Sequence, residues 1–166
     1  MMKEAQSSSR QCFVCGVENP FGLHIHFYDT GPAEVTAEYT VPEHFQGYGG
    51  IVHGGVIAAM LDEVASRVYF RGDPPRLVVT AKLNIRYRNP VPVLNPIRLV
   101  GRGVEDKGRV CTALGQIWGA DGTLLAEADV TLVEVPVEFL EEYAPLDTQG
   151  WKVYPEESSQ EAEHDR

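Results

Sequence analysis

His53-Gly54-Gly55 is followed without a break by Val56-Ile57-Ala58-Ala59-Met60-Leu61-Asp62-Glu63-Val64-Ala65-Ser66-Arg67-Val68-Tyr69-Phe70. Residues 56–70 are the long stretch free of Gly and Pro that carries a helical pattern. Ile57, Met60, Leu61, Val64 and Val68 recur at the three- and four-residue spacings of one apolar face. Ala58, Ala59, Ala65 and Ser66 keep the other side slim. A helix apolar nearly all round is expected to be buried.

Upstream, residues 23–28 and 34–41 alternate apolar and polar side chains around Asp29-Thr30-Gly31-Pro32, which reads as a β-hairpin. Downstream, residues 77–87, 97–104, 110–118 and 124–133 are rich in β-branched and aromatic residues. They are separated by Asn89-Pro90, Asp106-Lys107-Gly108 and Asp121-Gly122, and the Asp-Gly pair readily supplies positive φ to a hairpin turn. Two strands, one long helix and four more strands make an α+β domain, with an antiparallel sheet against or around the helix.

The chain has 166 residues, is 43% hydrophobic and carries a net charge of −10, which fits one core. Such acidity excludes nucleic acid as the natural partner, because a phosphate backbone is held by clustered Lys and Arg. The charge is uneven. Arg67 to Arg109 is basic, whereas from Glu134 onward acids dominate. Three boundaries follow: a disordered segment 1–11, a domain 12–140, and an acidic tail 141–166, partly disordered. No apolar run is long enough to span a bilayer, and the polar start lacks a secretory pattern. A cytoplasmic protein that works without a membrane is expected. Cys12, Cys15 and Cys111 do not make a disulfide framework and are expected reduced.

Inside the helix stands the pair Asp62-Glu63. Asp62 lies three, four or seven residues from Gly55, Ala58, Ala59 and Ala65, so it shares their small face, with room for a substrate and a water. Glu63 then faces a basic neighbour or solvent. A structural ion pair for Asp62 is the competing reading. The glycines before the helix shift the balance, because free amides at a helix start form an anion site suited to a thioester oxyanion. Gly54 and Gly55 sit roughly 10–12 Å from Asp62 along one helix, too far to serve one carbonyl. If both act, Asp62 of one subunit meets the glycine turn of another, and the protein is at least a dimer.

The run from Phe45-Gln46-Gly47-Tyr48-Gly49-Gly50 through His53-Gly54-Gly55 to Asp62 resembles the signature of PaaI-type hotdog thioesterases. Thr80-Ala81-Lys82-Leu83-Asn84-Ile85-Arg86-Tyr87-Arg88-Asn89-Pro90-Val91 looks like their following strand, as in the mitochondrial thioesterase-superfamily proteins. Cys12-Phe13-Val14-Cys15-Gly16 with Asn19-Pro20-Phe21-Gly22-Leu23 is similar to bacterial members. The resemblance covers roughly residues 12–133. It implies a hotdog fold, a homodimer or homotetramer, and hydrolysis of acyl-CoA without metal or cofactor, coenzyme A being part of the substrate. Asp62 would be general base or nucleophile, Gly54 or Gly55 the oxyanion donor, His53 a residue that orders the turn and touches substrate, and Thr80 a hydroxyl that positions water. Some relatives carry an Asn before the glycine turn, where this chain has Gln46-Gly47, making Gln46 a candidate.

Cys12 and Cys15 form a CxxC motif, and His24 and His26 share one face of their strand, a pattern to weigh for zinc. Since the resemblance carries no metal, a packed turn with free thiols is expected. Arg86, Arg88 and Arg109 are candidates for the CoA phosphates. Two rival functions remain at this level: a hotdog hydratase or dehydratase, which would pair Asp62 with His53, and a non-catalytic acyl-CoA-binding protein.

Overall fold

The computed structural model describes residues 3–72, 75–143, 145 and 149–155. Strands β1 (Glu4–Ala5), β2 (Tyr28–Gly31) and β3 (Glu34–Thr40) precede a 3-10 turn (Glu43–Phe45) and helix α1 (Gly54–Ser66). Strands β4 (Val78–Tyr87), β5 (Pro96–Asp106), β6 (Val110–Gly119) and β7 (Leu124–Glu134) follow, and a short helix α2 (Val137–Glu141) closes the series. All pairings are antiparallel, in the order β1-β2-β3-β5-β6-β7-β4. The chain therefore leaves α1 for the far edge of the sheet before filling its middle.

The expected turns close the two hairpins. Gly108 and Gly122 adopt positive φ, and Asp106 and Asp121 each accept a backbone N–H two residues on. Helix α1 lies across one face, touching β3 to β7. Ile57, Met60, Leu61 and Val64 of its apolar stripe are all buried, as is Val68 just beyond its end. The approach is close because Gly101 and Gly115 face each other across β5 and β6. A Cβ on Gly115 would come within 2.7 Å of the Leu61 carbonyl oxygen, and one on Gly101 closer still to that of Val64. Among the described residues, no helix is long and apolar enough to cross a membrane.

Four expectations are corrected. The helix stops at Ser66 rather than Phe70: the Ser66 hydroxyl bonds back to the Glu63 carbonyl, a local alternative to the helical ladder. Ala65 is fully buried under the sheet and does not share the face of Asp62. Residues 23–27 alternate as read, with Leu23, Ile25 and Phe27 buried, but they bond to the N-terminal segment through Phe13, Val14 and Gln6, so the hairpin strand starts only at Tyr28. The segment expected to be disordered before residue 12 is built in, for β1 pairs with β2 and Gln6, Ser8 and Ser9 are buried. Part of the acidic tail is tied down too, since Lys152 bridges to Ser8 and the Trp151 ring lies 4.8 Å from that of Phe70; residues 156–166 lie outside the described residues.

Candidate active site

The approach to α1 is a loop held by its own side chains. Gln46 pairs with Val52, and its Oε1 accepts the Gly50 N–H at 3.0 Å. Gly50 turns the chain at φ +81, a conformation that favours glycine. His53 is the N-cap of α1, and its Nδ1 accepts the Gly55 N–H at 2.9 Å. The imidazole therefore takes the cap role usual for Ser or Asp and carries its proton on Nε2. Val56 and Ile57 donate to the His53 carbonyl. Of the two glycine amides, Gly55 is occupied by the cap, and Gly54 has no acceptor among the described residues.

Two turns further along, Asp62 is half-buried, and Thr80 Oγ1 donates to its Oδ1 at 2.6 Å. Burial pushes the Asp62 carboxyl above the ordinary aspartate range, the Thr80 bond pulls it back, and the Glu63 charge pushes it up again. A half-buried carboxylate with one oxygen anchored and the other in no hydrogen bond among the described residues is equipped to take a proton or attack a carbonyl carbon.

Strand β4 carries a second contact that sequence reasoning did not single out. Tyr87 Oη donates to the Gly54 carbonyl at 2.9 Å. Thr80 and Tyr87 are seven residues apart, which in a regular strand puts them on opposite faces. A bulge between Thr80 and Lys82 shifts the register, so that Thr80, Leu83, Ile85 and Tyr87 all face the helix. One strand thus fastens α1 at its first residue and again past its middle. Its alternation held no sign of this, because the extra residue cancels the period.

The three candidate arginines do not converge within one chain. Arg88 is paired with Glu127. Arg109 lies beside Glu134 at the opposite end of β7, about 23 Å away at 3.3 Å per strand residue. Arg86, exposed on the β4 face turned from the helix, has no ion pair among the described residues.

Glu63 has the basic neighbour expected of it: Arg67 Nε lies 2.9 Å from its Oε1. Its other oxygen points to the N-terminal segment, with Cys12 Sγ 3.8 Å from Oε2. Cys12, Cys15 and Glu63 form a cluster of metal-ligating groups to which His24 and His26 do not belong. His24 instead sits at φ +56, its Nε2 2.5 Å from the Asn19 carbonyl oxygen. A hydrogen bond from the Cys15 thiol pulls the Cys12 thiol down to about 7.

A long helix seated in one face of an antiparallel sheet, with a carboxylate turned from the core, defines a hotdog-fold protein. Residues 49–126 match the family model described as thioesterase superfamily. The acyl-coenzyme A thioesterase THEM4 of Rattus norvegicus is 34% identical over 108 residues, covering 64% of this chain and 46% of that protein. THEM4 of Mus musculus is 28% identical over 138 residues, covering 82% and 59%. The chain spans about half the length of the curated relatives it matches. A crystal structure of a thioesterase superfamily protein is 31% identical with a TM-score of 0.68, covering 75% of this chain and 60% of that one. A Streptococcus mutans UA159 protein bound to acetyl CoA is 19% identical with a TM-score of 0.61, covering 67% and 88%, a likeness of fold alone. Over residues 49–126 the chain is similar to the thioesterase superfamily.

Proposed function

We propose that this chain hydrolyses acyl-CoA to a free acid and CoA, with Asp62 as the catalytic carboxylate and Gly54 of a second copy as oxyanion donor. The observation that carries the reading is the Asp62–Thr80 contact at 2.6 Å on the small-residue face of α1. With Oδ1 anchored, Oδ2 takes the proton of a water that attacks the thioester carbonyl, or attacks it directly. Charge then builds on the carbonyl oxygen, where an amide at a helix start stabilises it. Collapse expels CoA as thiolate; on the direct route this leaves an Asp62 acyl anhydride, which a water hydrolyses to the free acid and the carboxylate.

Asp62 and Gly54 stand eight residues apart on one helix, about 12 Å at 1.5 Å per residue. One carbonyl needs both within about 3 Å. A homo-oligomer, dimer or tetramer, supplies the second half-site. Strand β4 forms one edge of the sheet and leaves most of its residues exposed in the single chain, an open edge of the kind that a second strand covers. Of the three arginines, Arg86 is the first candidate for a CoA phosphate, being exposed beside Tyr87. The THEM4 relatives are named acyl-CoA thioesterases and a fold neighbour holds acetyl CoA, which supports the substrate class. Free thiols at Cys12, Cys15 and Cys111 fit a reducing compartment such as the cytoplasm.

Thiol release from a panel of aliphatic and aromatic acyl-CoA esters, by wild type and Asp62→Ala with oligomeric state followed by light scattering, tests the reading. Turnover by wild type and its loss in an intact variant are expected. Binding of the esters with no turnover across the panel overturns it in favour of an acyl-CoA-binding protein.

A further inference from the structure

The cluster on the other side of Glu63 has a geometry that the proposed chemistry at Asp62 does not use. Cys12 Sγ, Cys15 Sγ and a Glu63 carboxylate oxygen all lie within 4.8 Å of one another. In a tetrahedral zinc site with bonds of about 2.0–2.3 Å, ligand atoms stand roughly 3.3–3.8 Å apart. The Cys12 Sγ to Glu63 Oε2 separation is 3.8 Å, so little movement separates the cluster from a coordination shell.

The backbone around the pair is shaped for a bound thiolate. Cys12 Sγ accepts the Val14 N–H at 3.3 Å. An amide two residues on, aimed at the first sulfur of the CxxC turn, favours a charged sulfur there, and the second sulfur lies within 4.8 Å of it. Gly16 completes the turn: its N–H donates to the Cys12 carbonyl at 2.9 Å, and a Cβ there would collide with that carbonyl.

The third group arrives from a different element and is already aimed. Arg67, itself buried, holds Glu63 Oε1 at 2.9 Å and leaves Oε2 toward the sulfurs. An outer group that fixes a ligating carboxylate is the usual support of a metal site. The charges close as well: two thiolates and a carboxylate carry −3, Arg67 adds +1, and a divalent cation brings the sum to zero. A carboxylate so near Cys12 is out of place for a thiol that attacks disulfides, since it repels the thiolate such chemistry needs.

We propose that Cys12, Cys15 and Glu63 bind a divalent metal ion, zinc first among candidates, with a water or small ligand in the fourth position. Two thiolates with one oxygen select a borderline-soft d-block cation over magnesium or calcium. The ion would fasten the N-terminal segment to α1 one residue beyond Asp62, a structural clamp outside the reaction.

The test uses the full chain, loaded with zinc under reducing conditions, gel-filtered and assayed for metal by mass spectrometry. Cobalt loading is followed by its absorption spectrum. One metal per chain is expected in wild type, with a sulfur-to-cobalt charge-transfer band. Cys12→Ser/Cys15→Ser should hold none, and Glu63→Gln should bind at least roughly tenfold more weakly. Chelation should lower the melting temperature of wild type, because binding energy is folding energy at such a site. Wild type that retains no more metal than the double serine variant overturns the proposal, as does a Cys12–Cys15 disulfide in protein purified without reductant. Glu63→Gln with wild-type affinity removes the third ligand and overturns the site as drawn. If the double variant does not fold, the cobalt spectrum of wild type decides, since without thiolate ligands the charge-transfer band is absent.

Discussion

Thr80 Oγ1 donates to Asp62 Oδ1 at 2.6 Å, from the edge strand β4 to the middle of helix α1. The bond fixes the carboxylate rotamer and favours its charged form, opposing the burial that raises its pKa. Thr80→Val keeps the shape and removes the donor. A hydrogen bond to a charged group is worth about 1.5–3 kcal/mol when buried, and this one is partly open, so kcat should fall roughly tenfold with KM little changed. The base works when deprotonated, so activity rises with pH through its pKa. Losing the bond moves that acid limb to higher pH, and a pH–rate profile of both proteins with an unmoved limb would show that Thr80 does not tune Asp62.

Asp62→Asn should lower kcat by about 10²–10⁴, the contribution of a general base. Circular dichroism and light scattering on the same samples separate a chemical defect from a folding one. Residual activity above a tenth of wild type would move the base elsewhere.

Gly54 is the first residue of α1, where proline is well tolerated and removes only the amide hydrogen. His53 before it has φ −59 and ψ 136, a conformation compatible with a following proline. Gly54→Pro should leave the fold intact and cut kcat by about 10²–10³. Mixed with Asp62→Ala subunits after unfolding and refolding, it should regain about a quarter of wild-type activity, because half the random dimers hold one intact site. No regain means that both groups act within one chain.

Gly101→Ala and Gly115→Ala push a methyl into the carbonyls of Val64 and Leu61. Backbone cannot step aside like a flexible side chain, so each should destabilise the fold by about 1–3 kcal/mol or more, the cost of overpacking. Gly49→Ala adds a methyl with no neighbour within 4 Å and should stay within about 0.5 kcal/mol. Urea midpoints decide, and equal midpoints for all three would contradict the close seating of α1.

Arg67 is buried beneath Phe27, Phe70 and Trp151, bonded to Glu63 and to the Ser7 carbonyl. Arg67→Ala should cost about 3–5 kcal/mol, as expected when one partner of a buried pair is lost. Arg67→Lys should recover little, since one ammonium cannot reach both acceptors in the same planar geometry. Chemical denaturation of the two variants checks this.

Local periodicity made the helix, its buried stripe and the four later strands legible, because 3.6- and 2-residue repeats follow from backbone geometry alone. Ala65 was misplaced for a related reason: spacing defines a face only to within an arc, and the sheet decided which part of the arc it covers. The N-terminal strand escaped because Glu4–Ala5 is too short and polar to show a period, and its order comes from pairing with Asp29 and Tyr28. Tyr87 escaped through the bulge that follows Thr80.

Sequence by itself determined which residues are apolar on a helix, where the turns fall, and that Asp62 stands clear of the core stripe behind a glycine-rich approach. Tertiary structure alone decided which distant groups meet: Thr80 on Asp62, Tyr87 on Gly54, Gly101 opposite Gly115, and Cys12 with Cys15 on Glu63. Each of these contacts joins residues at least fourteen positions apart in the chain, across strand orders and a register shift that no local repeat encodes.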